Sequence, residues 1–242
     1  MSPSLEQRFQ EIAAEWRLLV PSADPPNDER FAVLKREADA IIAAGLWTSG
    51  PSDLLSILGR QRDELSHSRL IAWLLTPTGR HGLGRRFLRA FLDEVWPGER
   101  LAESGTVTLE LEVTRTGLDE LGVMHEARAD IVLRAEDVAI VIENKVDAGE
   151  QVNQCERLYW AWAEDPIETR WLLLSPTGRS PVTATTPQAA AAWRAASYGQ
   201  LARALNAALG VEVSPKSAEG YASAVQYLRT LGALVSARGG RA

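Results

Sequence analysis

The feature that most limits the fold is a pair of short β-branched runs, ADIVL (129–133) and VAIVIE (138–143), separated by four residues. Segments so dense in Val and Ile read as strands, and the short gap joins them as a hairpin. With Glu136 and Asp137 at the turn, Ala135 faces Val138. Counting back along both strands then sets Asp130 opposite Glu143, and directly opposed residues have Cβ atoms about 4.5–5.5 Å apart. Lys145 lies two residues past Glu143 and projects from the same face. The turn holds neither Gly nor Asn, so a slip of a residue or two would loosen this geometry without dispersing the cluster.

Around the hairpin the chain is mostly helical. Residues 1–20 carry Phe9, Ile12, Ala13, Trp16 and Leu19 on one stripe, which predicts a helix. PSADPPNDER (21–30) reads as a linker. Further helices are predicted over 29–45, over 53–75 with Asp53 or Ser52 as its cap, and over 83–96, ended by Trp96-Pro97-Gly98. TVTLELEVTR (106–115) alternates as a half-buried strand does. Residues 150–163 return to helical spacing, and RWLLLSP (170–176) is a buried strand. Two Ala-rich amphipathic helices, 187–210 and 217–236, precede the tail. The order is helices, then β-β-β-α-β, then helices. It predicts an α/β chain of the α+β kind, with a mixed sheet of four or more strands flanked by helices. The expected organisation is a helical extension at 1–48 packing on the core, one domain at 49–236 and a flexible tail at 237–242.

Like charges set directly across a strand pair are destabilising. A divalent cation relieves the conflict, and paired carboxylates with open positions suit a hard ion such as Mg²⁺. A lysine beside them suits metal-assisted hydrolysis of a phosphodiester, where it would orient or deprotonate water or stabilise the five-coordinate phosphorus. The competing reading is a surface hairpin with an incidental Glu and Lys at its end. The conjunction at opposed positions favours a site. Lysine is also a rare choice in this chain, which has 23 Arg and 3 Lys.

The 242 residues are 45% hydrophobic with eight Trp, enough apolar mass for a sizeable core, which excludes disorder as the main state. A single cysteine, Cys155, excludes a disulfide scaffold. No apolar run reaches the ~18–20 residues that span a bilayer. The acidic, amphipathic N-terminus is not a secretory signal, so a cytoplasmic protein without a membrane partner is expected. The net charge of −6 argues against holding nucleic acid by bulk charge, although a local basic surface or a metal leaves nucleic acid open as a substrate. Residues 60–100 offer such a surface, with eight Arg against five acids. Arg85, Arg86 and Arg89 share the outer face of the 83–96 helix as candidate phosphate contacts, or else as a solvated face. No Walker A, Rossmann or G-x-S-x-G pattern is present. His67, His81 and Cys155 lack the spacing of a zinc site.

Asp130 with Glu143-Asn144-Lys145, framed by ADIVL and AIVIENK, resembles the PD-(D/E)XK nuclease superfamily and its restriction-endonuclease-like fold. The closer resemblance is to a bacterial family of that superfamily, of largely undefined role. It rests on Glu64-Leu-Ser-His67-Ser68 through Leu75, on His81-Gly82-Leu-Gly84 through Leu88 and on Glu143 through Gln154, and it covers about residues 60–175. Ala129 stands where the superfamily often has a Pro that is not a ligand. The resemblance implies an αβββαβ core with extra N- and C-terminal helices. It implies Asp130 and Glu143 as metal ligands and Lys145 as the catalytic lysine. Glu64 would be the acidic residue supplied from the helix before the sheet, with a capping or solvent-facing Glu as the equal alternative. Glu64, His67, Ser68 and Ile71 fall on one helical face, a polar stripe directed at the site that makes His67 a candidate nucleic-acid contact. Of Gln151 and Gln154, Gln154 is the one expected near the metal.

The remaining candidates have blander readings. Tyr159, Trp160 and Trp162 are read as core. His81 is read as shaping a turn and His125 as a loop histidine within reach of phosphate. Glu112 is either an extra acidic neighbour or an exposed strand residue. The activity implied is a nuclease using Mg²⁺, or Mn²⁺ in vitro, on DNA ahead of RNA, with a homodimer or a protein partner for targeting. The alternative is a catalytically silent nuclease-fold module that binds nucleic acid or a protein partner. The intact Asp130, Glu143 and Lys145 weigh against it.

Overall fold

The computed structural model describes residues 28–45, 50–100, 102–103, 105–136, 138–210 and 213–239, together with Gln10 and Ala14. The chain divides into two units, Met1–Gly50 and Pro51–Ala242. In the first, α1 (Asp28–Ala43) ends at a left-handed Gly45, close to the helix predicted over 29–45. The helix predicted over 1–20 lies outside the described residues apart from Gln10 and Ala14.

The second unit opens with α2 (Leu54–Ile57), capped by the Asp53 carboxylate, which accepts from Ser56 N and Thr230 Oγ1. The single helix predicted over 53–75 is broken here. Gly59 takes φ +66° and Arg60 N donates to Leu55 O, a left-handed closure that ends the helix. α3 (Glu64–Leu75) follows and buries Ile71, Ala72, Leu74 and Leu75. His81 stops it: Nε2 donates to the carbonyls of Trp73 and Thr76, and Nδ1 accepts from Leu83 N. α4 (Arg86–Val95) buries Phe87, Leu88, Phe91 and Leu92.

Five strands form one sheet in chain order: β1 (Thr108–Leu118), β2 (Met124–Arg134), β3 (Ala139–Asn144), β4 (Thr169–Ser175) and β5 (Trp193–Ser197). The first three are antiparallel, and β4 and β5 join in parallel. α5 (Gln154–Trp162) crosses from β3 to β4, and α6 (Pro187–Ala192) from β4 to β5. The one helix expected over 187–210 is therefore α6, β5 and α7 (Tyr198–Leu209). Trp193 and Ala196 are buried in opposite layers of the core, so tertiary burial overrides the helical preference of an Ala-rich run. A capping box of Ser197 and Gln200 starts α7. α8 (Ala218–Gly239) closes the unit and continues into the segment read as a tail, of which residues 240–242 lie outside the described residues. Among the described residues no helix is long and apolar enough to cross a membrane.

The sheet is covered on both faces. Ile131, Leu133, Ile140, Ile142, Leu172 and Leu174 pack against α3, α4, α7 and α8. Val132, Val141, Trp171 and Leu173 pack against Cys155, Leu158 and Trp162 of α5. α5 lies so close to β1 that a Cβ on Gly117 would run into the carbonyl oxygen of Trp160. Along β2 the alternation slips once. Ile131 and Leu133 face the four-helix layer, whereas Ala127 and Ala129 face α5. The slip falls at Asp130. There the facing residue of β1, Glu112, takes φ +52°, and the ladder skips a rung between the Leu111–Ile131 and Val113–Ala129 pairs. A left-handed backbone at a residue with a Cβ costs on the order of 1–3 kcal/mol and persists where surrounding structure enforces it.

Candidate active site

The hairpin takes the predicted register. Arg134 pairs with Ala139 and Ile131 with Ile142, and the next rung brings Asp130 beside Glu143. Asp137 of the expected turn lies outside the described residues, but Ala135 N donates to Val138 O as the register requires. Asn144 N closes the end of the rung on Asp130 Oδ2 at 2.8 Å.

Both acids and the lysine reach one cavity. The Lys145 ammonium is 2.8 Å from Glu143 Oε1 and 3.8 Å from Glu64 Oε2. Gln154 Nε2, from the first turn of α5, donates to the same Glu143 Oε1 at 2.6 Å. The other oxygen, Glu143 Oε2, is buried with no hydrogen-bond partner. The cavity measures about 450 Å³, and Thr114, Glu126, Arg128, Gln151 and Arg157 are among its other lining residues.

Burial and the neighbouring Asp130 together push Glu143 up to about 8, with Lys145 pulling the other way. Burial raises Asp130 as well, partly offset by Asn144 N and Lys145. Burial alone would lower Lys145, but the carboxylates around it win and raise it. Two carboxylates that resist ionising together, one with a bare oxygen turned inward, match what a hard divalent cation relieves. Among the described residues no three of His, Cys, Asp and Glu form a complete cage. Asp130 and Glu143 would supply two ligands, as Mg²⁺ requires when it keeps waters and takes substrate phosphate.

Glu64 lines the same cavity. Its Oε1 accepts from Val146 N at 3.0 Å and Ala148 N at 3.3 Å, so it holds the turn that follows Lys145. Asn144 faces away from the cavity and braces it from behind. Its amide donates to Ser68 Oγ and the Glu64 carbonyl and accepts from Tyr198 OH.

Several expectations are corrected. His67 is fully buried and cannot meet nucleic acid. Its Nε2 donates to the Gln61 carbonyl and its Nδ1 accepts from Tyr227 OH, which makes it the neutral ring that burial favours. Arg85 donates to the Ala102 and Gly105 carbonyls and Arg89 to the Glu103 carbonyl, so both tie down the loop after α4. Neither they nor Arg86 line the cavity, whose arginines are Arg128 and Arg157. Arg157 was not expected from the sequence; its place three residues after Gln154 on the predicted helix is the signal that could have found it. Glu112 is exposed and pairs with Arg128 at 3.2 Å, and His125 is bound to Asp119 at 2.9 Å.

Two further acids anchor the wall. Glu150 is sealed from solvent and accepts from Val182 N, Thr183 N, Thr183 Oγ1 and Arg179. Glu156 accepts from Trp160 Nε1 and from the amides and hydroxyls of Thr185 and Thr186. Together they fasten α5 to the loop beyond β4. Cys155 between them is buried, with its thiol held high by that burial, and is no nucleophile.

A family model described as the PD-(D/E)XK nuclease superfamily matches residues 52–229, well over half of the chain. No curated protein and no solved structure gives a match.

Proposed function

The chain belongs to the PD-(D/E)XK nuclease superfamily, and on that premise we propose that it is a metal-dependent nuclease hydrolysing phosphodiester bonds, of DNA ahead of RNA. The observation that carries the reading is the opposed pair Asp130 and Glu143, with Glu143 Oε2 bare and Lys145 against Oε1. Asp130 and Glu143 would hold Mg²⁺, or Mn²⁺ in vitro, which would supply a Lewis acid and neutralise charge developing on the phosphoryl oxygens.

The chain's own groups do the rest. Lys145 orients the attacking water from beside Glu143 and meets the negative charge that builds on the phosphoryl oxygens. Gln154 holds the Glu143 carboxylate in one orientation through Oε1, leaving its second oxygen buried and without a partner. Glu64 keeps the Lys145 backbone in place through the Val146 and Ala148 amides.

The test is cleavage of plasmid, linear duplex, single-stranded DNA and RNA with Mg²⁺ or Mn²⁺. One of these substrates should be cut, and EDTA should stop it. Lys145→Ala and Asp130→Asn should each lose about a hundredfold or more in kcat while retaining the fold. Cutting that survives Lys145→Ala sinks the reading. Binding of nucleic acid without any cutting would instead favour a silent nuclease-fold module.

A further inference from the structure

Most of the partly buried arginines of this unit have an anion assigned to them. Arg115 and Arg134 share Asp165, Arg179 has Glu150 and Arg170 has Glu99 and Glu168. On the cavity wall, Arg128 has Glu112. Arg157 breaks this pattern. It is half-buried, it lines the cavity, and among the described residues no carboxylate pairs with it. Its Nε is buried with no hydrogen-bond partner. With no ion pair among the described residues neutralising it, the guanidinium is left to meet an anion that enters the cavity.

The helix that carries Arg157 is fixed. Glu150 and Glu156 fasten α5 to the loop on its far side, and Gln154, one turn earlier, is bonded to Glu143. Arg157 is thus held on the wall that rises beside the two acids, where a phosphate between wall and floor would meet the guanidinium on one side and Asp130 with Glu143 on the other. We propose that Arg157 takes the non-bridging oxygens of a substrate phosphate and sets the polynucleotide over the Asp130–Glu143 pair. This rests on the nuclease reading and adds its substrate-holding residue. The planar fork matches phosphate bidentately, which a lysine at this position would not do.

The experiment is fluorescence anisotropy of a short labelled duplex and its single strand across a salt series, with Ca²⁺ in place of Mg²⁺. The variants are Arg157→Gln, Arg157→Lys and, as a control, Arg194→Gln at an exposed position of β5. One lost phosphate contact should lower the slope of log K against log salt by about 0.9 on duplex, or about 0.7 on single strand. Arg157→Lys should keep the slope and still bind more weakly than wild type. Arg194→Gln should do neither. In the cleavage assay, Arg157→Gln should raise KM more than it lowers kcat. Its melting temperature should not fall, because no internal partner is lost.

An unchanged slope together with a lower melting temperature makes Arg157 a packing residue and overturns the proposal. An Arg157→Gln variant that binds and cuts like wild type overturns it too, while leaving the nuclease reading intact. A wild type that neither binds nor cuts any of the probes fells both.

Discussion

Glu143 answers to two opposed requirements. Folding buries it beside Asp130, where its proton is held up to about pH 8, and binding a cation needs that proton gone. The folded value lies above the ordinary 4.5, so as pH rises from there the unfolded chain ionises first and the metal-free fold loses stability up to about pH 8. Divalent affinity moves the other way. Mn²⁺ titration calorimetry should show affinity rising by up to about tenfold per pH unit below 8, with proton release on binding. Glu143→Gln should melt higher than wild type at pH 8 without metal and should not cut. An affinity flat between pH 6 and 8 would contradict this coupling. At this scale the sequence was unusually legible, because register and strand alternation alone placed Asp130, Glu143 and Lys145 together. It was silent on Arg157's isolation and on Asn144's ties to Ser68 and Tyr198, which depend on contacts between distant parts of the chain.

Among the elements, α5 links the core to the chemistry. Its inward residues seal one layer, its first turns present Gln154 and Arg157, and the buried carboxylates of Glu150 and Glu156 bind its start to the loop at 182–186. Hydrogen bonds hold Glu150 at about 2, below its ordinary 4.5 and against the pull of burial. Its stabilisation is therefore present above pH 4.5 and is lost as pH falls through about 2. Glu150→Gln should lower stability at neutral pH by about 2–3 kcal/mol and slow cleavage through a displaced Gln154. Its chemical denaturation curve should converge on that of wild type as the pH approaches 2. The elements that strand and helix periodicity found were those with long or strongly patterned runs. β5 escaped because Ala-rich residues on either side share one propensity, and only burial against β4 separates Trp193–Ser197 from its helical flanks. The break after Ile57 escaped because a single left-handed Gly59 makes it, with no change in apolar spacing.

Taken whole, the chain keeps its apparatus in Pro51–Ala242, which holds both faces of the sheet and every residue lining the cavity. A fragment beginning at Pro51 should unfold in a single cooperative transition and cut the same substrate as the full chain. Loss of cooperativity on removing 1–50 would show that the second unit is not self-sufficient. The arginine-heavy composition also has an experimental use. The chain's side-chain amines are Lys35, Lys145 and Lys216, and only Lys145 is buried. Replacing Lys35 and Lys216 with Arg would leave one ε-amine, in the lining of the cavity. Isotopic methyl tags added by reductive alkylation would then report that amine by NMR, apart from the α-amine, and would follow its protonation while metal and nucleic acid are added.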